Sequence, residues 1–239
     1  MISVDSVYQT VQRILNVEQR GQLPPEDFNR FAKLAQDELF NDLFFDRAHF
    51  NRSPKGTMEI RKENQEKIDV FIRHDNLTYN ATTQRWDLHP DTYMLGNVYY
   101  DRADGTRVIV DNIKHKDSTY IMSSQLTCPT DNLPKYLRFG QDMQEGIGDI
   151  RILPSTIITN VSADYVKRPT SPRWEYLMVG DAVTPIYNGT TSVQFELHPA
   201  MEDDLVMKVL YYAGISTRQD DIAQYALRGI QQDQQIDKQ

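Results

Sequence analysis

The sequence predicts an α+β fold, with N- and C-terminal helices forming a helical bundle around or beside a central antiparallel β region. Three observations predict it. Apolar residues recur at helical spacing up to Phe44 and again beyond Pro199. From about Ile68 the pattern shifts to Tyr, Val, Ile and Thr runs broken by turn residues. Prolines at 129, 134, 154, 169 and 172 then punctuate that middle into short pieces. The expected division is a helical bundle over 1–67 and 198–230, a β-rich region over 68–197 and a flexible tail over 231–239.

The first helix is written by Val4, Val7, Tyr8, Val11, Ile14 and Leu15, with Ser3 to cap its start and Gly21 to close it. The second opens on Pro24-Pro25-Glu26-Asp27, prolines suited to a first turn and acids facing the positive end of the dipole. Its stripe of Phe28, Phe31, Ala32, Ala35, Leu39 and Leu43 is widened by Phe40 and Phe44. So wide a face exceeds what one partner helix covers, which predicts a central element. Residues 46–66 are polar with mixed charge and read as a loop followed by a solvated helix. Val98-Tyr99-Tyr100 and Val108-Ile109-Val110 flank Ala103-Asp104-Gly105, the pattern of a hairpin with an Asp-Gly turn. Alternation at Val161, Ala163 and Tyr165, and at Val193, Phe195 and Leu197, predicts two half-buried strands. A helix follows Pro199, with Glu202, Asp203 and Asp204 in its first turn, a stripe of Leu205, Val206, Val209, Leu210 and Ala213, and Gly214 as its end. A last amphipathic helix carries Ile222, Ala223, Ala226 and Ile230.

Composition narrows the function. The chain has 239 residues, 39% hydrophobic and 25% charged, enough for a sizeable core. Its 34 acids against 26 bases give a formal charge of −8, which repels phosphate backbones at long range and argues against general nucleic-acid binding. One cysteine, Cys128, permits neither an internal disulfide framework nor a cysteine-based zinc site. Met1–Asp5 lacks a basic region followed by an apolar core, and no run approaches the ~18 apolar residues of a membrane helix. The expectation is a soluble protein folded in a reducing cytoplasm.

No catalytic constellation stands out, and the expectation is no enzyme, no metal and no cofactor. His49, His74, His89, His115 and His198 have no His-x-x-x-His or Glu-x-x-His spacing. Gly140, Gly146 and Gly148 lack the lysine and spacing of a phosphate loop and read as a turn. Adjacent acids such as Glu202 with Asp203 diverge by about 100° on a helix and do not converge on a substrate. The segment Asn16–Asp27 resembles an EF-hand loop, with an oxygen ligand first, glycine sixth and an acid last. Its fifth position is Arg20, a cation where calcium should sit, and the two prolines stiffen the wrapping half. It reads as a helix–turn–helix.

Two regions carry a family resemblance. Asn16–Asn29, with Ala32, Ala35-Gln36 and Leu39-Phe40, is one. The other is Ile152-Leu153-Pro154-Ser155, Asp164–Pro169, Pro172-Arg173-Trp174, Phe195–Pro199 and Tyr211-Ala213-Gly214-Ile215. Together, over roughly residues 1–45 and 150–225, they resemble neck or tail ring proteins of tailed bacteriophages, particularly the crAss-like group. The order of elements is similar to the head–tail adaptors of short-tailed phages. The resemblance implies a virion protein, made in the host cytoplasm, forming a ring of commonly about twelve copies on the portal around a DNA passage. It implies contacts with itself, the portal and adjacent ring or tail proteins, with DNA only as cargo. Thirteen tyrosines and the aromatic face of the second helix suit such interfaces, so Phe31, Phe40 and Phe44 are the expected subunit contacts. Ile236, in the glutamine-rich tail, is the expected anchor of an arm that docks on a neighbour. The alternative is a carbohydrate-binding or hydrolytic virion protein, with Trp86 or Trp174 stacking on sugar rings.

The Asn16–Asp27 reading is tested by calorimetry with calcium. No affinity in the sensor range of about 10⁻⁷–10⁻⁵ M is expected, and finding it would restore the EF-hand.

Overall fold

The structure, a computed structural model, describes residues 1–17, 23–50, 58–140, 148–178, 185–216 and 227–228. The chain divides into two compact units, Met1–Val70 with Pro169–Gln239 and Phe71–Arg168. Residues 169–197, expected in the β-rich region, thus fall in the helical unit. The whole is mixed α and β, with five helices and one large, nearly closed, mostly antiparallel sheet among the described residues.

Helix α1 (Val4–Val17) buries Val4, Val7, Val11 and Leu15, while Ile14 of the expected stripe is 39% exposed. Ser3 Oγ accepts from the Ser6 N–H at 3.4 Å, and Gln194 Oε1 accepts from the Val4 N–H at 2.8 Å. Two of the unpaired amides of the first turn are thereby met. Helix α2 (Pro25–Phe50) starts as its prolines predict, the Pro24 carbonyl accepting from the Phe28 N–H at 3.0 Å. It continues through residues 46–50, expected as loop, before α3 (Met58–Asp69). Ile68 closes that helix at 1% exposure, so the β region begins at Ile72 instead.

The second unit holds β1 (Ile72–Asn76), β2 (Thr78–Asn80), β3 (Arg85–Asp87), β4 (Thr92–Asp101), β5 (Arg107–Asn112), α4 (His115–Ser123), β6 (Lys135–Arg138), β7 (Asp149–Leu153) and β8 (Val161–Lys167). Their order in the sheet is β1-β8-β4-β5-β6-β7-β3-β2. The two outermost strands are successive pieces of one extended segment. Its first part pairs with β8, the Leu77 N–H reaches the Val161 carbonyl at 2.9 Å, and its second part pairs with β3. The sheet therefore curls almost into a barrel, and its interior holds Trp86, Leu88, Val98, Val110, Tyr136, Ile150, Ile152, Ile157, Val161 and Ala163. Opposed pairs such as Val98 with Val110, Trp86 with Ile150 and Tyr136 with Ile152 set the register. Fully burying one such aliphatic side chain is worth about 1.5–3 kcal/mol. A bulge in β4 between Leu95 and Val98 brings Gly96 so near β8 that a Cβ would lie 2.9 Å from the Asp164 carbonyl oxygen. Glycine is required there.

The β4–β5 hairpin forms as its Asp-Gly signal predicts. Gly105 has φ of +82°, Asp104 Oδ1 accepts from the Thr106 N–H at 2.8 Å, and Arg107 forks onto Asp101 at 2.8 and 3.0 Å. Strands β5 and β6 are the one parallel neighbour pair in the described sheet, so α4 and its flanks must cross from one end of the strands to the other.

The return into the helical unit is described over residues 169–178 and 185–197, a strap carrying the paired strands β9 (Tyr176–Leu177) and β10 (Ile186–Tyr187). The strand expected over Val193–Leu197 is absent as a ladder. Phe195 bridges Ile2 and Val193 bridges Arg173 singly, so the alternation reflects an extended segment wedged into the core. Side chains take over where a ladder would be. Gln36, fully buried, donates to the Thr170 carbonyl at 2.8 Å and accepts from the Glu196 N–H at 3.2 Å. Asn29 accepts from the Trp174 N–H at 2.7 Å and donates to its carbonyl at 3.2 Å.

Helix α5 (Glu202–Ser216) packs against α1 and α2, with Leu205, Val209, Leu210 and Ala213 buried. Gly214 is buried inside it and does not end it; packing overrides the roughly 1 kcal/mol helix cost of glycine. Of the helix expected around Ile222–Ile230, only Leu227 and Arg228 are among the described residues, and both are helical. Lys208, 5% exposed, bridges Glu38 at 2.9 Å and Asp42 at 2.8 Å, and the Tyr212 hydroxyl donates to Glu38 at 2.7 Å. Burial alone would raise the pKa of Glu38, but the hydrogen bonds from Lys208 and Tyr212 outweigh it and hold the carboxyl below its usual range.

Burial, and then the hydrogen bond to Glu38, push Tyr212 up to about 12. A tyrosine near 10 in the unfolded chain thus adds stability that is intact below pH 10 and lost as pH climbs through 12. Urea midpoints measured from pH 9 to 12 should fall less steeply in Tyr212→Phe than in the parent. Parallel slopes would show that the pair adds nothing.

Candidate interaction surface

The longest excursion between strands of the β unit runs from Ile113 to Pro134, joining β5 to β6. Its root is pinned. Ile113 packs with Leu137 and Leu153, with Ile121 and Phe139 alongside. The His115 Nε2 lies 2.7 Å from the Arg138 carbonyl, and its ring meets Phe139 edge-on at 4.9 Å. The far end is pinned too, through Asp131, whose carbonyl accepts from Arg102 Nε at 3.2 Å and whose carboxylate accepts from the Thr156 hydroxyl at 3.1 Å.

Between these anchors α4 buries none of its residues. Tyr120 is 77% exposed, Met122 54%, Leu126 92% and Leu133 63%. From Ser118 to Leu133 the one charged residue is Asp131. Scattered exposed apolar residues are ordinary, but four large ones on the tethered stretch from Ser118 to Leu133, with its single charge, match the composition of interface cores. Sequence reasoning missed this feature because α4 is short and has no apolar stripe.

Two polar groups lie between strands of the same unit. His74 Nδ1 sits 2.6 Å from Asp164 Oδ1, and the Tyr99 hydroxyl donates to Asp164 Oδ2 at 2.8 Å. Tyr165 donates to Asp75 at 2.7 Å and stacks on His89 at 5.8 Å. Burial first, then Asp75, push Tyr165 up to about 12. Each group joins neighbouring strands, and no serine or cysteine among the described residues bonds to His74. These are cross-strand ties.

The residues expected to matter scatter. Phe40 is 3% exposed and meets Phe44 edge-on at 5.0 Å, while Phe31 and Phe44 are half-buried. Phe40 therefore spends its ring on the chain's own core, correcting its reading as a subunit contact. Ile236 lies outside the described residues, as do residues 18–22 of the EF-hand-like loop. Trp86 and Trp174 are each 3% exposed. Trp86 fills the barrel, and Trp174 stacks among Tyr8, Tyr176 and Tyr187 with its Nε1–H donating to Asp5 at 3.0 Å. Neither presents a face on which a sugar ring could stack.

Among the described residues no group of three or more His, Cys, Asp or Glu could hold a metal ion, and no helix is long and apolar enough to cross a membrane. No protein-family model and no curated protein matches the chain.

Phe40→Asp should unfold the protein outright, and Phe40→Ala should cost about 3–5 kcal/mol in urea denaturation. A stable Phe40→Asp monomer would return the residue to an interface role.

Proposed function

We propose that this chain is a non-catalytic structural subunit of a tailed-bacteriophage virion, forming a ring in the head–tail connector or neck. In this reading the ring has about twelve copies, joins the portal to tail components and surrounds the passing DNA. The N- and C-terminal helices form one bundle, and the tail around Ile236 docks on an adjacent component. The observation that carries the reading is the α4 crossover, tethered at both ends and spending none of its large exposed apolar side chains on its own fold. The resemblance over residues 1–45 and 150–225 adds the place in the particle.

A heterologous ring needs two different surfaces, one for each neighbour. The crossover is the first. The β9–β10 hairpin is the second, with Leu177 54%, Met178 61% and Ile186 53% exposed. Burying Tyr120, Met122, Leu126 and Leu133 against such a surface supplies apolar area with little charge to desolvate.

Cys128, the chain's one cysteine, is exposed on the crossover and reports on it directly. A photoactivatable crosslinker on Cys128 should yield a ladder of covalent oligomers, and electron microscopy of purified protein should show closed rings. Tyr120→Asp with Leu126→Asp should abolish both while leaving the melting temperature unchanged. Rings that persist in the double variant, or a parent that stays monomeric at every concentration, would overturn the proposal.

A further inference from the structure

One end of the barrel gathers arginines that no sequence motif connects. Thr92 at the start of β4 lies opposite Lys167 at the end of β8, and Arg168 follows. Strand β5 runs back toward that same end, and β6, parallel to β5, finishes there with Arg138. Thr92, Tyr93, Arg138, Phe139, Gly140 and Arg168 line a single open cleft of about 480 Å³. That is the size of a small-ligand site and far too small for a polymer to thread.

Three features give the cleft its chemistry. Neither Arg138 nor Arg168 has an ion pair with a carboxylate among the described residues, and both line the one cleft. Their backbones are fixed: the Arg168 N–H donates to the Asp91 carbonyl at 2.7 Å, and the Arg138 carbonyl is held by His115 at 2.7 Å. The third feature is the Thr92 hydroxyl, whose oxygen is buried and has no hydrogen-bond partner. Buried hydroxyls are ordinarily satisfied, so this one gives the cleft a polar wall beneath its surface, although the oxygen itself is closed to a ligand as the chain stands. It sits where β4 shifts register between Thr92 and Met94, which removes it from the regular pattern of the sheet.

We propose that this cleft binds a phosphate group. Arginine's planar fork matches phosphate oxygens in pairs, and two forks, one at the end of β6 and one just past β8, supply donors for a tetrahedral anion. A planar carboxylate would be satisfied by one fork. The site admits inorganic phosphate or the phosphate of a small monoester, and room remains beside Gly140, where a Cβ would meet nothing within 4 Å. The inference does not rest on the ring, because every lining residue belongs to the barrel unit of one chain.

The test is a calorimetric titration of the full chain with inorganic phosphate at low salt. One site is expected, with Arg138→Gln and Arg168→Gln each weakening binding at least tenfold. Unchanged melting temperatures would confirm that the variants fold. Nucleoside monophosphate and a short DNA duplex serve as competitors: displacement by the first supports a monoester site, whereas displacement by the duplex alone would make the surface a backbone contact and overturn the assignment. No binding by the parent, undiminished binding by the Arg138→Gln/Arg168→Gln double variant, or acetate competing as well as phosphate would each overturn it.

Discussion

The β unit depends on one segment serving two edges. Residues 72–80 pair first with β8 and then with β3, so the strands at the ends of the sheet are joined by a single residue, Leu77. An open sheet of this width would leave two long rows of unpaired amides and one apolar face to cover. Curling the sheet removes most of both problems, because the interior fills itself with side chains from facing strands. The requirement propagates outward. Gly96 must let β4 approach β8, the bulges must bend β4, and the hairpin at Gly105 must hold the register on which Val98, Val110 and Ala163 meet.

The helical unit solves a different problem. Its strap over residues 169–178 and 185–197 has no continuous partner strand, so its buried backbone groups need individual partners. Gln36 and Asn29 on α2 supply them, and Gln194 on the strap returns the service to the first turn of α1. A buried glutamine in the middle of an apolar helix face is costly alone. Here it is the fastener between helix and strap, tying Thr170 and Glu196 to α2.

Local signals were legible in the sequence. The start of α2 at Pro24-Pro25 and the Asp104-Gly105 turn rest on interactions within a few residues, whereas β8, marked by the alternation of Val161, Ala163 and Tyr165, also buries Ser162 and Val166 between its two distant partner strands. Closure of the sheet was not, because no local pattern says that Thr78–Asn80 will pair with β3 while Ile72–Asn76 pairs with β8. The breadth of the α2 stripe was read correctly as a demand for several neighbours, but periodicity is silent on whether those belong to the same chain. Phe40 therefore looked like an interface residue and is a core one. Val193, Phe195 and Leu197 alternate because an extended strap has the same two-residue period as a paired strand. Arg138, Arg168 and Thr92 come together through strand order alone, so the cleft could not be anticipated from spacing.

The parallel pairing of β5 and β6 has a consequence for how such a protein can change. A parallel neighbour cannot be reached by a tight turn, so some excursion is compulsory, yet the barrel constrains only where it leaves and where it returns. Ile113 and Asp131 fix those two points, Ile121 packs back beside Ile113, and the exposed side chains between them carry no part of the core. Substitutions at Tyr120, Met122 or Leu126 leave the interior untouched, so natural variation there is filtered by what the segment touches outside its own chain. Sequence drift in the barrel walls and in the crossover should consequently follow separate clocks.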